Sequence, residues 1–286
     1  MNSPLVSVYI PTHNRLALLK RSINSIFEQT YKHIELVVAD DGSSDGTRDY
    51  LSKLQDAGQL RAILLPVSMG ACVARNFAIC QSNGEFLTGL DDDDYFLPGR
   101  IESFVSKWKQ MEGNGFSVPV AGLFDDLIFL KTREKELRHR YPSVVSYQNL
   151  LEKNHIGNQV FAPRKTFLES GLFDPRMPIW QDWDLWRRIS RDNGHFINLG
   201  IGTYVVDQAH GYARTTSEPE FAIRYAMAML EDKCGVSSLR VKSSLLIACL
   251  SNPQANLTLN DTFLLLRAGR LTTLAKLLVK QLLRIR

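Results

Sequence analysis

Residues 85–100 read EFLTGLDDDDYFLPGR, a run with the character of a buried strand, four adjacent carboxylates, and then Tyr95, Phe96 and Leu97 ahead of Pro98. Like charges at neighbouring positions repel, more strongly where apolar flanks exclude water. The cluster therefore does not read as a solvated tail. In an extended segment successive side chains alternate, which sends Asp91 and Asp93 one way and Asp92 and Asp94 the other. A hard divalent cation held by Asp91 and Asp93, with phosphate oxygens as its remaining ligands, would make the arrangement tolerable. Asp94 has a second reading, because it precedes the helix that Pro98 opens and negative charge is favoured there.

Upstream, strand and helix patterns alternate. Leu5–Ile10 is a β-type run, after which Leu16, Leu19, Ile23, Ile26 and Phe27 recur at helical spacing. Ile34–Ala39 predicts a second strand, Asp40 to Gly46 a turn, and Thr47–Leu54 a helix. Arg61–Leu65, Gly70–Gln81 and Glu85–Leu90 predict a third strand, a third helix and a fourth strand. Repeated β-α-β connection implies an α/β fold whose sheet is mostly parallel and covered by helices on both faces. Ligands of such sheets lie beyond the carboxyl ends of the strands. Three polar segments follow strand ends here: Pro11-Thr12-His13-Asn14, Asp40-Asp41-Gly42-Ser43, and Asp91 to Asp94. Parallel strands would gather all three on one edge.

The chain has 286 residues, 44% hydrophobic and 22% charged, enough for one large α/β domain and an extension. A net charge of +4, with no Arg/Lys-rich recognition motif, excludes a nucleic-acid partner. Cys72, Cys80, Cys234 and Cys249 are scattered without CxxC spacing and read as reduced core thiols. The first residues lack the pattern of a secretory signal, and no run approaches the roughly 18 apolar residues of a membrane span, so a cytoplasmic location is expected. Val118–Phe124 and Leu127–Lys131 look like strands around Asp125-Asp126, and Thr132–Arg140 has the composition of a mobile loop. Ser146–Lys153 and Gln181–Asp192 predict helices, and Gly157–Ala162 a strand. From about Ser217 the pattern is helical throughout, which places a boundary near residue 215.

Taken together, Val6 to Arg15, Val38 to Thr47, Gly70 with Ala74-Arg75-Asn76, and Leu90 to Asp94 with Pro98 resemble the family 2 glycosyltransferases of the GT-A fold. The resemblance covers roughly residues 5–215. It implies a Rossmann-like domain over residues 1–215, with a nucleotide-sugar half of about 1–98 and an acceptor half of about 99–215, followed by a helical extension over 216–286. By similarity, Pro11, Thr12 and Asn14 flank the base and ribose, Asp41 meets the uracil ring, Asp91 and Asp92 belong to the nucleotide-sugar site, and Asp93 ligates Mn²⁺ or Mg²⁺ on the diphosphate. Arg75 either offsets diphosphate charge or pairs with the acidic cluster. His13 is either stacked near the base or a surface imidazole. Asp40, Gly42 and Gly46 are read as turn residues.

A glycosyl transfer also needs a base for the acceptor hydroxyl, and Trp180 to Arg188, WQDWDLWRR, offers two carboxylates. On a helix Asp184 has Arg188 four residues on and reads as a surface ion pair. Asp182 shares a face with Leu185, Trp186 and Ile189, and is either an N-cap or the base. The segment resembles the family's Glu-Asp motif, with Gln181 where Glu is usual, which assigns the base to Asp182. Trp180, Trp183 and Trp186 offer a sugar platform, with core packing the stronger reading for Trp186. His210 is either, by resemblance, a further metal or diphosphate ligand or a surface or loop histidine, and Arg214 is a comparable candidate for a phosphate contact.

These readings converge on an inverting, metal-dependent transfer from a UDP-sugar to a glycan or lipid-linked glycan acceptor in cell-surface polysaccharide synthesis. A nucleotidyltransferase and a catalytically silent nucleotide-sugar-binding module are the alternatives. The first lacks a visible phosphate clamp and the second would have no use for Asp182. The C-terminus carries Arg267, Arg270, Lys276, Lys280, Arg284 and Arg286 without an acidic residue after Asp261. Lys276, Lys280 and Arg284 recur on one helical face, with Leu271, Leu274, Leu278, Leu282 and Ile285 on the other. Such a helix either packs on the catalytic domain or lies on anionic membrane, peripherally on the inner face of the plasma membrane.

Overall fold

The computed structural model describes residues 3–132, 135–209, 218–235 and 238–284. In chain order the elements are β1 (Val6–Thr12), α1 (Leu16–Phe27), β2 (Ile34–Asp40), α2 (Thr47–Asp56), β3 (Arg61–Leu64), α3 (Ala71–Cys80), β4 (Phe86–Gly89), β5 (Tyr95–Phe96) and α4 (Arg100–Gly113). The middle of the chain adds β6 (Val120–Phe124), β7 (Leu127–Thr132), β8 (Lys135–His139), β9 (Val144–Val145), α5 (Tyr147–Glu152), β10 (Phe161–Pro163), α6 (Arg164–Glu169), α7 (Gln181–Asn193), β11 (His195–Asn198) and β12 (Tyr204–Asp207). Four helices follow: α8 (Glu220–Cys234), α9 (Leu239–Ser251), α10 (Leu259–Arg267) and α11 (Leu271–Arg284).

The main sheet has the order β3-β2-β1-β4-β10-β6-β11-β9. β1 to β4 are parallel to one another, as the alternating pattern requires, and β10 runs antiparallel to both β4 and β6. Along β1, Val6, Val8 and Ile10 enter one apolar cluster with Leu19, Ile23 and Phe104, while Tyr9 enters the other with Ala74 and Trp186. β2 splits the same way, Leu36 and Val38 against Val37 and Ala39. That two-residue period places helices on both faces.

A second sheet has the order β5-β12-β7-β8; of its strands only β7, expected over Leu127–Lys131, has a counterpart in the sequence reading. Part of the charged stretch expected to be a loop is β8, which pairs antiparallel with β7 from Leu127↔His139 to Thr132↔Lys135. Its side chains are exposed from Glu136 to Arg140, so charge there is compatible with a solvated edge. Conversely, the strand expected over Gly157–Ala162 begins only at Phe161, because Gly157 (φ 91) turns the chain. Asp125, also outside the expected site, accepts the amides of Ile201 and Gly202 (both 2.9 Å) and Thr203 (2.8 Å), fixing the loop that leads into β12.

The helical extension shares the apolar cluster that backs α7. Ile223, Leu230, Leu245, Leu246 and Leu265 lie in it with Trp183, Trp186 and Phe167. Cys72 and Cys249 are buried and free, whereas Cys80 is free but exposed, a departure from the expected core thiols. The Cys234 side chain lies outside the described residues. Among the described residues no helix is long and apolar enough to cross a membrane.

Candidate active site

Parallel register puts Thr12 beside Asp40 and Tyr9 beside Gly89, so the segments after β1, β2 and β4 leave the sheet on one edge, as expected. Asn14, in the left-handed region at φ 52, ties the first two together: its amide donates to Ser43 Oγ (2.8 Å) and its Oδ1 accepts from the Ser44 amide (2.7 Å). His13 Nδ1 lies 2.6 Å from the Asp41 carbonyl oxygen. Pro11 and Thr12 are buried in β1 itself, and the Thr12 hydroxyl donates to Asp92 Oδ2 (2.8 Å). These two residues, expected beside a base and ribose, thus build the floor of the edge.

The Asp40 carboxylate accepts the Ser43 amide (3.1 Å) and Arg48 Nη1 (3.1 Å), the turn role expected of it. Asp41 accepts the amides of Met69 (2.6 Å) and Gly70 (2.9 Å) and the Ser68 hydroxyl (2.7 Å), which fastens the loop before α3 over the edge. Gly42 is required there. It has φ 73, and a Cβ would come within 2.7 Å of the Val67 and Ser68 backbone.

The acidic cluster is a closed turn, not an extended run: the Asp94 amide donates to the Asp91 carbonyl (3.1 Å). Its side chains consequently do not alternate, and all four carboxylates are partnered. Asp91 is gripped by Arg75 Nη2 (2.9 Å), Asn158 Nδ2 (3.1 Å) and Gln159 Nε2 (3.3 Å). Arg15 Nη1 bridges Asp92 Oδ1 and Asp93 Oδ2, 3.1 Å from each. Asp94 accepts from the Tyr204 hydroxyl (2.9 Å) and the Asp207 amide (3.0 Å). Arg21 bonds both the Asp93 carbonyl and the Asp207 carboxylate.

Two expectations change with this geometry. Asp94 does not serve a helix N-terminus, since α4 begins at Arg100 behind Gly99 and Asp94 is turned inward to β12. Asp92, expected at the nucleotide, is 6% exposed and engaged with Thr12 and Arg15. Arg75 pairs with Asp91, as one of its two readings expected. Burial pushes the Asp92 carboxyl up to about 6 against the pull of Arg15. Burial, then the Asp93 and Asp91 charges, hold Asp94 well above the usual carboxylate range. Arg15, Arg21, Asn158 and Tyr204 were given no role from the sequence. Four adjacent carboxylates did signal that cations had to be near, and Arg15 directly follows the first polar segment.

The side chains of Asp91 and Asp93 keep 22% and 14% exposure, so these two can still reach a ligand. Hard oxygen donors suit Mn²⁺ or Mg²⁺. Among the described residues no three His, Cys, Asp or Glu side chains converge on one point, and a cation at Asp93 would take part of its ligand shell from a bound diphosphate. His210 and Arg214 lie outside the described residues.

The second carboxylate centre is at the start of α7. Trp180 precedes the helix at φ 60 and ψ 27, a left-handed conformation costly for a bulky residue and characteristic of sites where geometry is imposed. Trp180 is the N-cap position, so Asp182 does not cap the helix. It is the second residue of the helix, within the first turn, and its Oδ2 accepts from Asn154 Nδ2 (3.0 Å). Burial raises the Asp182 carboxyl to about 6, while the Trp183 amide and the Arg75 charge pull the other way. A cavity of about 250 Å³ joins Asp182, Trp180 and Gln181 to Arg75, Asp91 and Asn158. The chemistry this allows is proton removal beside a cation-neutralised carboxylate cluster.

Of the three tryptophans only Trp180 lines that cavity. Trp183 and Trp186 are core residues whose indole N–H groups donate to the carbonyls of Leu150 (2.6 Å) and Gly157 (3.0 Å). Asp184 does pair with Arg188 (2.8 Å), but it is buried, not on the surface, and Lys233 of α8 is its second cation (2.9 Å). Asn252, at the end of α9, also lines the cavity, and no local pattern in the sequence pointed to it.

The chain is similar to known proteins in sequence and in fold. Residues 7–171 match the family described as glycosyl transferase family 2. The chain is 31% identical over 221 residues to the putative colanic acid biosynthesis glycosyl transferase WcaA of Escherichia coli K12, covering 77% of this chain and 78% of that one. It is 29% identical over 202 residues to the UDP-Glc:alpha-D-GlcNAc-diphosphoundecaprenol beta-1,3-glucosyltransferase WfgD of Escherichia coli, covering 70% and 76%. It spans about a third of the length of an uncharacterized glycosyltransferase of Rickettsia conorii, covering 31% of that protein at 29% identity. In fold it is similar to S. aureus TarS 1-349 in complex with UDP, with a TM-score of 0.67 at 15% sequence identity, covering 90% of this chain and 77% of that one. The family match spans more than half of the chain and includes all three strand-end segments, and the chain accordingly belongs to glycosyl transferase family 2.

Proposed function

We propose that the protein transfers a hexosyl group from a UDP-sugar to a glycan acceptor, with inversion at the anomeric carbon and Asp182 as the general base. The observation that carries this is the joint cavity, in which a carboxyl raised to about 6 lies beside the Arg75–Asp91 pair at the mouth of the strand-end loops. Asp182, oriented by Asn154, takes the proton of the attacking hydroxyl. Asp91, the other carboxylate on the wall, is held by Arg75, Asn158 and Gln159, which suits a binding role better than that of a nucleophile. One base without a positioned nucleophile favours direct displacement. Asp41 and the loop it fastens would enclose the uracil, and Asp93 would hold Mn²⁺ or Mg²⁺, which when bound neutralises the leaving diphosphate.

A lipid-linked acceptor fits the names of relatives that act on undecaprenol-diphosphate glycans. Peripheral contact with anionic membrane belongs to this reading, through a face that differs in part from the expected one. Leu274 is buried, and Lys280 Nζ reaches back to the Leu250 carbonyl (3.4 Å). The exposed apolar residues keep Leu271 and Leu278 of the expected face and add Val279 and Leu283 of α11 with Leu259, Phe263 and Leu266 of α10, and the one acidic residue of that stretch, Asp261, is buried against Arg224. The side chains of Leu282 and Arg284, and residue Ile285, lie outside the described set. Release of UDP from UDP-glucose, UDP-galactose and their N-acetylhexosamine counterparts, with and without Mn²⁺, tests the catalytic reading. Absence of metal-stimulated release from every donor refutes it. Sedimentation with anionic vesicles, lost on Phe263→Glu together with Leu271→Glu, tests the membrane contact. Equal sedimentation of the variant refutes that contact.

A further inference from the structure

We infer that the C-terminal extension completes the acceptor subsite, with Asn252 as a specificity-determining residue that reads a neutral glycosyl unit of the acceptor. The inference rests on the transferase reading and goes beyond it by naming the chain segment and the chemistry that select the acceptor.

The cavity wall has two parts. Arg75, Asp91 and Asn158 are bonded to one another, carry the charge, and come from the strand-end side. The other part is Ile179, Trp180 and Gln181 at the start of α7, joined by Asn252 from α9. Asp182 follows Gln181 on α7 and lines the same cavity as Arg75 and Asp91, so a hydroxyl delivered to it with the donor on the charged side brings the rest of its molecule against the second part. Among the described residues that part holds an indole and two amides and no cation. Such a surface suits the apolar face and hydroxyl edges of a sugar and brings no cationic side chain to a phosphate. The acceptor group recognised here is therefore a neutral sugar ring.

Asn252 is held as a recognition residue should be. Pro253 follows it and α9 ends at Ser251. Asn252 sits beyond the helix at φ −69 and ψ 135, and its Oδ1 accepts the Gln254 amide (2.9 Å), an Asx turn that fixes the side chain. α9 is anchored by Leu245, Leu246, Cys249 and Leu250, at most 2% exposed, in the cluster that contains Trp183. Lys233 ties the preceding helix to both Asp184 of α7 and Asp174 of the loop before it (2.9 and 2.8 Å). Asn252 and the base-bearing helix thus belong to one packed unit, and a pre-positioned side chain loses little entropy on binding.

The test uses the full chain, UDP as donor-site probe, and a panel of aryl glucosides, galactosides and N-acetylglucosaminides as acceptor probes. Calorimetry reads UDP affinity, and kinetics and NMR titration read the glycosides. Asn252→Ala is expected to raise the acceptor KM about 5- to 30-fold, the range for one lost hydrogen bond in a closed site, and to change the ranking of the panel. Asn252→Phe, which fills the cavity, is expected to remove glycoside binding. In both variants UDP affinity stays within about twofold of the starting protein. Glycoside binding and ranking that survive Asn252→Phe overturn the inference. So does a wild-type protein that binds UDP but none of the glycosides, or a loss of UDP affinity in step with glycoside affinity, which is the mark of a structural role. Failure of the parent reading is separate, since it shows as no UDP binding by the wild-type protein.

Discussion

The edge formed by the ends of β1, β2 and β4 and the wall formed by α7 and α9 are built in opposite ways. The first is assembled from three short segments, each following its own strand, with turn chemistry written locally: Asp40 bonded to Ser43, Gly42 at φ 73, Asp94 closing onto Asp91. The second is assembled by packing between parts of the chain that are distant in sequence, Asn154 to Asp182 and Lys233 to Asp184. A site can thus have one half encoded by motifs and the other by a shared core. Damage should separate the same way, as lost donor binding on one side and as lost proton transfer or acceptor selection on the other.

The largest effect is expected on the α7 side. Asp182→Asn keeps the shape of the side chain and its reach to Asn154 but removes the proton acceptor, so turnover should fall roughly 10²–10⁴-fold while UDP affinity, measured by calorimetry, persists. Parallel loss of both would erase the contrast between the two halves. On the strand-end side, Asp93→Ala should lower metal-stimulated UDP release on the order of 10²–10³-fold, several kcal/mol of charge stabilisation, and should weaken UDP binding as well. Retained Mn²⁺ stimulation in this variant would move the metal elsewhere.

The pH profile sharpens the contrast further. Asp182 works as a base only when ionised, and burial places its carboxyl at about 6, above the usual carboxylate value. Activity should therefore decline about tenfold per unit as pH falls below that point and level off above it. The residual activity of Asp182→Asn should lack this limb. A limb of the same position in both proteins would assign it to the acidic turn, where Asp92 titrates near the same value. The smallest effect is expected at the clamp. Lys233→Met leaves the buried Asp184 with Arg188 alone, costing about 1–3 kcal/mol in denaturant unfolding. UDP affinity should not follow, and if it does the halves are not separable.

The two halves also differed in how far the sequence revealed them. Strand and helix periodicity, the three strand-end segments and Asp182 were legible because each signal lies within a dozen residues. The spread of the four carboxylates was not, since strand alternation was assumed where the chain makes a turn, and the counter-charges come from Arg15 and Arg75 at a distance. β8 was hidden because an exposed edge strand pairs through its backbone and leaves its charged side chains to solvent. Trp183 and Asp184 were assigned to the surface or a platform for want of the helices that cover them. The role of Asn252 depends on where α9 ends relative to α7, which no local pattern states.

The claim that joins both halves is a single displacement at the anomeric carbon, with Asp182 as base and no covalent intermediate. Proton NMR of the sugar released from a hydrolysed UDP-α-hexose, recorded before mutarotation, tests it most directly. First-formed β-anomer, absent in the Asp182→Asn protein, is the expected result. First-formed α-anomer would contradict the account, because retention requires a nucleophile that the cavity, as described, does not position.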